Sequence, residues 1–589
     1  MTIQHHEFKE NAEAKILHLL VQALIRENIY KTEKDELGYH LIIADKGQLT
    51  VPISHVYQLG HIDLAGDITF RDGKKEHLIS SPVELLEKIG FATDDPFLKE
   101  IISSVDHYAL ALEAARKRTR ELDDAPDAYT YAEKRKRYED MFSPLTFFEQ
   151  WVIEGHTIHP CTRTRIGLSE EEGKAYAPEW GARPELIPVA VRSDASRFTS
   201  LDGHTMKDIL FKEYPELEKA FHAECPDPER YDLIPVHPWQ WEHTIQKRYG
   251  DMLADGRIFP IKGAKIKTAS LISFRTMAPD QSRTRHHIKT AVNIQMTSAV
   301  RTVSAASTHN GPVMSRLLER ITSQDPALGD VAIMKDVVGI HFEPDEDKDR
   351  NFYQKNLASI LRENPEADLG KDEIAIPAAT LIARSPFSDQ LIMEELIERA
   401  GGTPQSFIKT YAEAVLPGLL TLMTKYGISM EAHLQNSVVV FQKGVPKRVI
   451  LRDNGGIRVM EKRLHTFFRE VRIDPSTNVL TEERQELVDM FSHALIHNHF
   501  GEMIVALARR NRVDEKVLWN QVKIVIQNTY EQLEKDGTPA ESLEDENVLL
   551  FRPSRMKALV KMRWSDQSID NEYVDIDQPF QTEEEVFRP

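Results

Sequence analysis

Residues 431–455 read EAHLQNSVVVFQKGVPKRVILRDNG and contain two short apolar runs of strand-forming residues. The runs, Val438–Phe441 and Val449–Leu451, flank a turn that contains Gly444, and this pattern predicts a two-stranded hairpin. A hairpin of this size brings its two open ends together. We therefore expect Asn436, before the first strand, to lie close to Asp453, after the second.

The polar residues at the open end of this hairpin suit a magnesium-bound triphosphate. They are Glu431, His433, Gln435, Asn436, Arg452 and Asp453. Oxygen ligands bind Mg²⁺, and His and Arg side chains neutralise or polarise an anion. The alternative is a polar loop that only caps the hairpin, and the spacing by itself does not decide between the two.

A second polar set interrupts apolar segments between Lys265 and Ser304. The segments Ala264–Thr276 and Ile288–Thr297 predict neighbouring strands, joined by the polar loop Asp280–His287. Burying several cations near one sheet is costly unless anions pair with them, and a bound phosphate and a bound carboxylate would supply those anions. The alternative is that these side chains alternate toward solvent. The interrupting residues are Ser273, Arg275, Thr276, Lys289, Thr297, Ser298 and Arg301.

The third polar cluster is residues 154–167, which read EGHTIHPCTRTRIG. Two His, two Arg, two Gly and one Pro in so short a stretch predict a loop that contacts anions. Zinc is the alternative, since His156, His159 and Cys161 are candidate ligands. We do not favour it, because the chain lacks a second Cys or His pair at the spacing of a zinc finger or a metalloprotease.

Taken together, these motifs resemble the siderophore synthetases that act independently of nonribosomal peptide synthetases, the aerobactin-synthetase type. The resemblance runs from about residue 145 to 565. The family's loop, Gly-His-Pro-x-His-Pro-x-x-Lys-x-Arg-x-Gly, begins here at Gly155, with Thr157 in place of a Pro and Arg163 in place of a Lys. Further matches are His237-Pro238-Trp239-Gln240, the spacing from Ser273 to Arg301, the hairpin residues, and the closing basic segment Lys557–Arg563.

The resemblance implies an ATP-dependent ligase that uses Mg²⁺. In such an enzyme a carboxylate of citrate, or of a citrate derivative, is adenylated, and an amine or a hydroxyl then attacks to form an amide or an ester. It also implies a homodimer, and Lys289, Arg301 and His433 as the catalytic residues. The resemblance implies that the phosphates are contacted by Ser273, Arg275, Thr276 and Lys289, under a loop that carries His156, His159 and Arg163. It implies that the carboxylates are bound by Thr297, Ser298, Arg301 and His433. It implies that the nucleotide is contacted by Glu431, Gln435, Asn436 and Asp453, and that Glu431 and Asp453 are also metal ligands.

The fold class that we predict is α+β. Three regions follow from the patterns: a mostly helical, thumb-like domain over residues 1–150, a β-rich, antiparallel, fingers-like ATP-binding domain over 151–385, and a mainly helical, palm-like domain with the hairpin over 386–589. The thumb, fingers and palm arrangement is implied by the resemblance. Helical periodicity predicts helices over 12–28, 98–122, 131–152, 407–426, 482–509 and 515–533, and a further hairpin is predicted over 39–53.

Composition excludes several classes of protein. The chain has 589 residues, 41% hydrophobic and 28% charged, and a net charge of −19 that argues against nucleic acid as a partner. Its two cysteines do not make a disulfide framework. The first residues lack a basic stretch followed by an apolar core, and the chain has no run of eighteen apolar residues. We expect a cytoplasmic protein with no membrane partner.

Two other functions remain open at this point. A kinase-like phosphotransferase is one, but a kinase catalytic loop places an Asp base before its Asn, whereas this chain has His433-Leu434-Gln435-Asn436. A non-catalytic protein that binds citrate or iron is the other, and it would bind citrate without needing ATP.

Overall fold

The N-terminal region combines long helices with an antiparallel sheet. A computed structural model describes residues 2–280, 282–297, 299–473, 479–564 and 572–580. The helices are α1 (Thr2–Arg26), α2 (Pro82–Ile89), α3 (Pro96–Thr119), α4 (Ala128–Tyr138) and α5 (Pro144–Glu149). The sheet consists of β1 (Lys31–Lys34), β2 (Gly38–Ile43), β3 (Gly47–Val56), β4 (Ile62–Leu64), β5 (Ile68–Asp72) and β6 (Lys75–Ile79).

The predicted helices over 12–28 and 98–122 and the hairpin over 39–53 are confirmed. The continuous helix over 131–152 is wrong, because the chain breaks between α4 and α5. Pro144 has no N–H to continue a helix, and Ser143 before it accepts the backbone N–H of Thr146 at 3.0 Å as an N-cap. Most of the sheet was not predicted, since its short strands carry many polar residues.

The middle region is built on antiparallel strands, as predicted. The strands are β7 (Arg165–Ile166), β8 (Glu185–Arg192), β9 (Ser196–Ser200), β10 (Tyr231–Val236), β11 (Ile258–Pro260), β12 (Ile266–Ser270), β13 (Thr276–Pro279), β14 (His287–Thr290), β15 (Gln295–Met296), β16 (Ala299–Val300), β17 (Val331–Ile333), β18 (Asp336–Phe342), β19 (Ala358–Arg362) and β20 (Glu373–Pro377). The helices are α6 (Glu170–Tyr176), α7 (Met206–Glu213), α8 (Pro215–Glu224), α9 (Pro238–Gln240), α10 (Gln246–Arg248), α11 (Gly250–Ala254), α12 (Ala305–Gln324), α13 (Arg350–Asn356) and α14 (Ala378–Leu381).

Nine of these strands form one sheet in the order β10-β8-β12-β13-β14-β19-β18-β9, with β11 also paired to β8. Strands β13 and β14 are neighbours, with Thr276 opposite Lys289, as predicted for the two segments on either side of the polar loop. The segment Ala264–Thr276 is not one strand, however. It turns at residues 271–275, where Phe274 has a φ of 64°, and this turn separates β12 from β13.

The C-terminal region is mainly helical and contains the predicted hairpin. Its helices are α15 (Ile392–Arg399), α16 (Pro404–Tyr426), α17 (Glu461–Phe467), α18 (Arg484–Phe491), α19 (Glu502–Asn511), α20 (Glu515–Lys535), α21 (Pro539–Phe551) and α22 (Leu559–Trp564), and a π-helical segment, Ser492–Gly501, joins α18 to α19. Its strands are β21 (Ile428–Ser429), β22 (Ser437–Gln442), β23 (Val445–Leu451), β24 (Arg458–Val459), β25 (Ser554–Lys557) and β26 (Tyr573–Ile576).

The hairpin of β22 and β23 is the centre of a four-stranded sheet. Ser437 lies opposite Leu451, and Arg452 donates its backbone N–H to the Asn436 carbonyl at 3.1 Å. Strand β20 adds to β22 in an antiparallel sense, and β17 adds to β23 in a parallel sense. The apolar segment 331–342 is therefore shared between two sheets: β17 joins the hairpin and β18 joins the nine-stranded sheet.

Three large hydrophobic cores hold these layers together. One lies between α1, α3 and the N-terminal sheet, and one lies between the nine-stranded sheet and helices α7 and α8. The largest lies around α16 and the hairpin, and it also includes apolar residues of α4 and α5, such as Tyr129 and Phe148. Among the described residues, no helix is long and apolar enough to cross a membrane.

A buried ion pair fixes α5 to the hairpin and to the nine-stranded sheet. The Glu149 side chain is fully buried, and it accepts from the Arg452 guanidinium at 2.5 Å and from the Ile272 backbone N–H at 2.9 Å. Arg452 also donates to the Gln435 carbonyl at 2.6 Å. Glu149 thus connects the turn before β13 to the end of β23 directly, and to the turn before β22 through Arg452.

Glu149→Gln should lower the free energy of unfolding by about 3–5 kcal/mol, because it leaves Arg452 buried without an anion. Urea denaturation measures the change. The matched control is Glu33→Gln in the exposed pair with Lys31, which should cost less than about 1 kcal/mol. Equal and small effects of the two substitutions would contradict a structural role for Glu149.

Candidate active site

A cavity of about 690 Å³ lies where the three regions meet, and it is the candidate active site. Its walls come from the loop after α5, from the turns around β13 and β16, and from the turn before the hairpin. Nine of the predicted site residues line it: His156, His159, Arg163, Ser273, Thr297, Arg301, Glu431, His433 and Gln435. Ser298, predicted as a carboxylate ligand, lies outside the described residues.

The loop over 154–167 is held by a buried carboxylate. Glu179 accepts from Arg165 at 2.7 Å and from Arg163 at 3.4 Å, and all three side chains are buried. Burial by itself raises the pKa of Glu179, but the two guanidinium groups outweigh it and lower the pKa to about 2. Arg163 also donates to the carbonyl of Ile153 at 2.9 Å. Most donors of Arg163 are therefore used to anchor the loop.

Gly155 is needed at the start of this loop. Its φ is 75°, and a Cβ there would lie 2.6 Å from the Thr162 Oγ1. A larger residue would therefore push the loop away from the cavity.

The two histidines of the loop are neutral. Burial lowers the pKa of His156 to about 4 and that of His159 to about 3. His159 Nδ1 accepts from the Cys161 backbone N–H at 2.9 Å, while its buried Nε2 has no partner among the described residues. A neutral imidazole that accepts at Nδ1 carries its proton on Nε2, so His159 presents an N–H donor at the cavity wall.

Next to the cavity, one face of the nine-stranded sheet holds a cluster of charges. In the strand register Thr276 lies opposite Lys289, and Arg362 lies opposite both Asp336 and His287. Because His287 and Lys289 are two residues apart in β14, all these side chains share a face. Asp453, from the end of the hairpin, accepts from the Lys289 ammonium and, at 3.2 Å, from Arg362. Arg362 also donates to Asp336 at 2.6 Å. The hairpin and the large sheet are thus joined through charge.

The cluster holds more positive charge than Asp453 alone can balance. Burial lowers the pKa of Lys289 to about 8 and that of Arg275 to about 10, although Asp453 acts in the opposite direction on both. Burial also acts to raise the pKa of Asp453, but Lys289, Arg362 and Arg275 hold it well below its ordinary value. An additional anion would stabilise these cations, which is the property of a phosphate site.

Three residues around the cavity have strained backbones. Phe274, Thr297 and Asp453 have φ values of 64°, 56° and 71°. Positive φ is costly for a side chain with a Cβ, most of all for β-branched Thr, and such residues cluster at functional sites. In these conformations Thr297 lies in the cavity wall and Asp453 contacts Lys289.

Arg301 is the cavity cation that most clearly lacks a partner. It lies after β16, and it forms no ion pair and no side-chain hydrogen bond with any described residue. Arg275, by contrast, donates to the Thr302 carbonyl. Arg301 is free to bind a carboxylate by two parallel hydrogen bonds.

The turn before the hairpin orients His433. Its Nδ1 accepts from the Asn436 backbone N–H at 3.3 Å, and the Asn436 amide donates to the Glu431 carbonyl at 3.1 Å. The Asn436 side chain is therefore used to shape the turn, and it does not line the cavity. Gln435 and the Glu431 carboxylate do line it.

The residues predicted to hold a metal fit that role in part. One oxygen of Asp453 accepts from Lys289 and Arg362, which leaves the other oxygen for a cation, and the Glu431 carboxylate lies beside the same loop, against Gly456. Across the described residues there is no group of three or more His, Cys, Asp or Glu side chains that could hold a metal ion. An ion here would need phosphate oxygens to complete its ligands.

Comparisons with known proteins show what the chain is similar to. Residues 144–383 match the model of the IucA / IucC family, and residues 405–570 match one described as a ferric iron reductase FhuF-like transporter. Staphyloferrin A synthase from Staphylococcus aureus is 28% identical over 97% of this chain and 98% of its own. The D-ornithine–citrate ligase of the same organism is 27% identical over 97% of this chain and 93% of its own.

The chain is similar to the siderophore synthetases of the IucA/IucC family. The resemblance drawn from the motifs is thereby confirmed, as are the ligase class and the α+β fold. The fold is also that of the ATP-bound aerobactin synthetase IucA from Klebsiella pneumoniae, with a TM-score of 0.77, 18% identity, and coverage of 96% of this chain and 99% of that one.

Several residues of the site were missed from the sequence. Arg362, the last residue of β19, is one of them, because its partners Asp336 and Asp453 lie far from it in the chain. Asn498 lies between His497 and His499 in the segment 482–509, for which the sequence predicts only a helix. The two histidines lie in the core: His497 contacts Ser554 Oγ at 2.6 Å and His499 contacts the Tyr411 hydroxyl at 2.6 Å. Asn498, however, lines the cavity, together with His493 and Lys557.

Glu179→Gln should destabilise the protein in a pH-dependent way. Because the folded-state pKa of Glu179 is lowered to about 2, its stabilisation is present above the unfolded value of 4.5 and is lost as the pH falls through about 2. The variant should lose about 3 kcal/mol of unfolding free energy at pH 7 and about 1 kcal/mol less than that at pH 4. Urea denaturation at the two pH values measures this, and a pH-independent difference would contradict the ionic anchor.

Proposed function

We propose that this synthetase adenylates a carboxylate of citrate, or of a citrate-derived acid, and transfers the acyl group to an amine or a hydroxyl. The observation that carries the proposal is the presence of two separate cationic sites. Arg301 lies unpaired in the cavity, and Lys289, Arg275 and Arg362 surround Asp453 beside it. A carboxylate and a triphosphate would occupy the two. The names of two relatives, a citrate ligase and an ATP-bound synthetase, support the same pair of substrates.

The phosphates bind to the cluster on the sheet. Ser273, Arg275, Thr276 and Lys289 contact them, and the loop with His156 and His159 lies over them. Arg163 contributes mainly by anchoring that loop, since its guanidinium is bonded to Glu179 and Ile153. Gln435 reaches the nucleotide from the turn before the hairpin, and Asn436 holds that turn in shape.

The carboxylate binds on the other side of the cavity. Arg301 holds it by two hydrogen bonds, Thr297 and Ser298 add hydroxyl contacts, and His433 lies opposite. A carboxylate oxygen attacks the α-phosphorus, the bond to pyrophosphate breaks, and pyrophosphate leaves. The nitrogen or oxygen nucleophile then attacks the acyl carbon, the bond to AMP breaks, and the nucleophile's proton is lost. Lys289, Arg301 and His433 act by holding the two anions together and offsetting the charge that develops.

Magnesium would be held by Glu431, Asp453 and the phosphates. Its chemistry is to neutralise the triphosphate and to orient the leaving pyrophosphate. Asp453 remains a carboxylate at neutral pH because the cations around it lower its pKa. The negative charge of Asp453 would therefore attract both Lys289 and a magnesium ion.

The wider organisation is also part of the proposal. We place the protein in the cytoplasm as a homodimer, with no membrane or nucleic-acid partner, and divide it into domains 1–150, 151–385 and 386–589. The packing of α4 and α5 into the core around α16 shows that contacts across the first boundary are extensive. Light scattering at micromolar concentration tests the dimer.

Hydroxylamine should trap the activated acid. With ATP, Mg²⁺, citrate and hydroxylamine, and no natural amine, the protein should form citryl hydroxamate and AMP in equal amounts, because an acyl-adenylate reacts with any small nucleophile. Chromatography of the nucleotides and the iron complex of the hydroxamate measure the two products. The formation of ADP and a phosphorylated acid would contradict adenylation and favour the kinase-like alternative.

Arg301→Ala should reduce citrate-dependent pyrophosphate release by at least 100-fold, since it removes the guanidinium that binds the acid. Arg301→Lys should recover little activity, because a point charge cannot make two parallel hydrogen bonds. The control is Arg183→Ala, which removes an exposed guanidinium paired with Asp280. Near-normal release by the Arg301→Ala variant would exclude Arg301 from the acid site.

A further inference from the structure

One turn of helix α3, in the N-terminal region, contacts the loop that forms part of the cavity wall. Glu100, Ser103 and Ser104 lie three and four residues apart, so they share a face of the helix. The Ser104 Oγ accepts the backbone N–H of Arg163 at 3.1 Å, and the Ser103 Oγ accepts that of Arg165 at 3.1 Å. Arg163 and Arg165 both line the cavity. Two serines of one helical turn thus hold the loop from behind.

The third residue of this turn, Glu100, binds two further parts of the chain. Its carboxylate accepts from the Gln295 amide at 2.5 Å, and from the Arg563 guanidinium at 2.9 Å through Nε and at 2.5 Å through Nη2. Gln295 belongs to β15, and Arg563 belongs to α22. Glu100 is only 2% exposed and is not among the residues that line the cavity. One buried carboxylate thus connects the middle and the C-terminal regions to α3.

The hairpin that is bound through Gln295 carries two residues of the proposed acid site. Thr297 lies in the turn between β15 and β16, and Arg301 follows β16. Arg301 donates its backbone N–H to the Ile294 carbonyl at 3.0 Å, next to Gln295. Each strand has two residues and β16 is an edge strand, so few backbone hydrogen bonds hold this hairpin. We therefore expect the positions of Thr297 and Arg301 to depend on the bond from Gln295 to Glu100.

The segment that is bound through Arg563 closes the cavity on another side. Lys557 and Leu559 line the cavity, and Arg563 follows Leu559 by one turn of α22. Glu27, from α1, accepts the backbone N–H of Val560 at 3.0 Å, and the Val560 side chain is buried in the core between α1, α3 and the N-terminal sheet. Two buried carboxylates of the N-terminal region thus fix the position of this segment.

We propose that Glu100 is a positioning residue for the acid. It contacts no substrate, but it holds the hairpin with Thr297 and Arg301 at a fixed distance from the C-terminal segment with Lys557, and it thereby sets the width of the acid site. The inference rests on the proposed function, because it concerns the binding of the acid in that same reaction. It gives the N-terminal region a role in acid binding through a residue outside the cavity.

The chemistry of the contacts suits this role. Hydrogen bonds between a guanidinium and a carboxylate are charge-assisted, and the fork of Arg563 fixes orientation as well as distance. The contact of Arg301 with the acid is directional in the same way, so a displacement of about 1 Å would weaken it by up to about 100-fold. Among the described residues, the Glu100 carboxylate contacts the loop only at the Cys161 thiol, a weak donor 3.8 Å away. Changes at Glu100 and at Ser104 therefore affect different walls of the cavity.

Glu100→Gln tests the proposal in the assay that forms AMP from ATP, citrate and hydroxylamine. The substitution keeps the shape of the side chain, but an amide accepts less well than a carboxylate from Gln295 and Arg563. The KM for citrate should rise at least 10-fold, while the KM for ATP stays within about twofold of wild type. Asp106→Asn makes the same chemical change at an exposed carboxylate of α3 and should alter neither KM. An unchanged KM for citrate in the Glu100→Gln variant would overturn the proposal.

Two further variants separate positioning from a general loss of stability. Gln295→Leu removes only the bond to the hairpin and leaves the pair of Glu100 and Arg563 in place, so it should raise the KM for citrate even where Glu100→Gln fails to fold. Ser104→Ala loosens the loop that is proposed to lie over the phosphates, and it should raise the KM for ATP more than the KM for citrate. Equal increases of both KM values in the Gln295→Leu variant would overturn the proposal, and so would a citrate-specific effect of Ser104→Ala.

Wild-type enzyme in the same assay separates this inference from the proposed function. If wild type forms AMP in a citrate-dependent way, a normal KM for citrate in the Glu100→Gln variant overturns the inference and leaves the proposed function intact. If wild type forms no AMP from ATP and citrate, the proposed function and the role of Glu100 are both overturned.

Discussion

The structure depends on the balance of charge around Asp453. This single carboxylate, at the end of a hairpin, faces Lys289, Arg362 and Arg275 from the nine-stranded sheet. Buried cations are costly unless they are paired, and three cations against two carboxylates, Asp453 and Asp336, leave the site short of negative charge. A buried excess of positive charge of this kind favours the binding of an anionic substrate. The ion pairs of Asp453 with Lys289 and Arg362 also join two sheets that share no strand.

The backbone makes this arrangement possible. Antiparallel pairing places Lys289 and Arg362 on one face of the large sheet, and the hairpin register places Asp453 beside them. Behind this layer, Glu149 pairs with Arg452 and fixes the distance between the hairpin and the turn before β13. The two carboxylates thus have different roles. Glu149, which is buried, fixes the geometry of the hairpin, and Asp453, which is partly exposed, balances only part of the positive charge beside the cavity.

Much of the site could be predicted from the sequence because it lies next to regular local patterns. The hairpin between Asn436 and Asp453 follows from two apolar runs and a glycine turn, and Lys289 and Arg301 follow from polar residues that interrupt apolar segments. Arg362 was not predicted because its strand pairs with segments far apart in the chain. The orientation of His493 depends on a π-helical turn, and hydrophobic periodicity does not distinguish such a turn from an α-helix. The split of residues 331–342 between two sheets likewise depends on tertiary contacts.

Transfer of oxygen from the acid to the nucleotide tests adenylation most directly. If a carboxylate oxygen of the acid attacks the α-phosphorus, that oxygen remains on AMP when the nucleophile displaces it. Citrate labelled with ¹⁸O in its carboxylates, incubated with ATP, Mg²⁺ and an accepted nucleophile, should therefore give AMP that carries one ¹⁸O atom per turnover, as measured by mass spectrometry. Label in inorganic phosphate together with ADP, and none in AMP, would contradict the account.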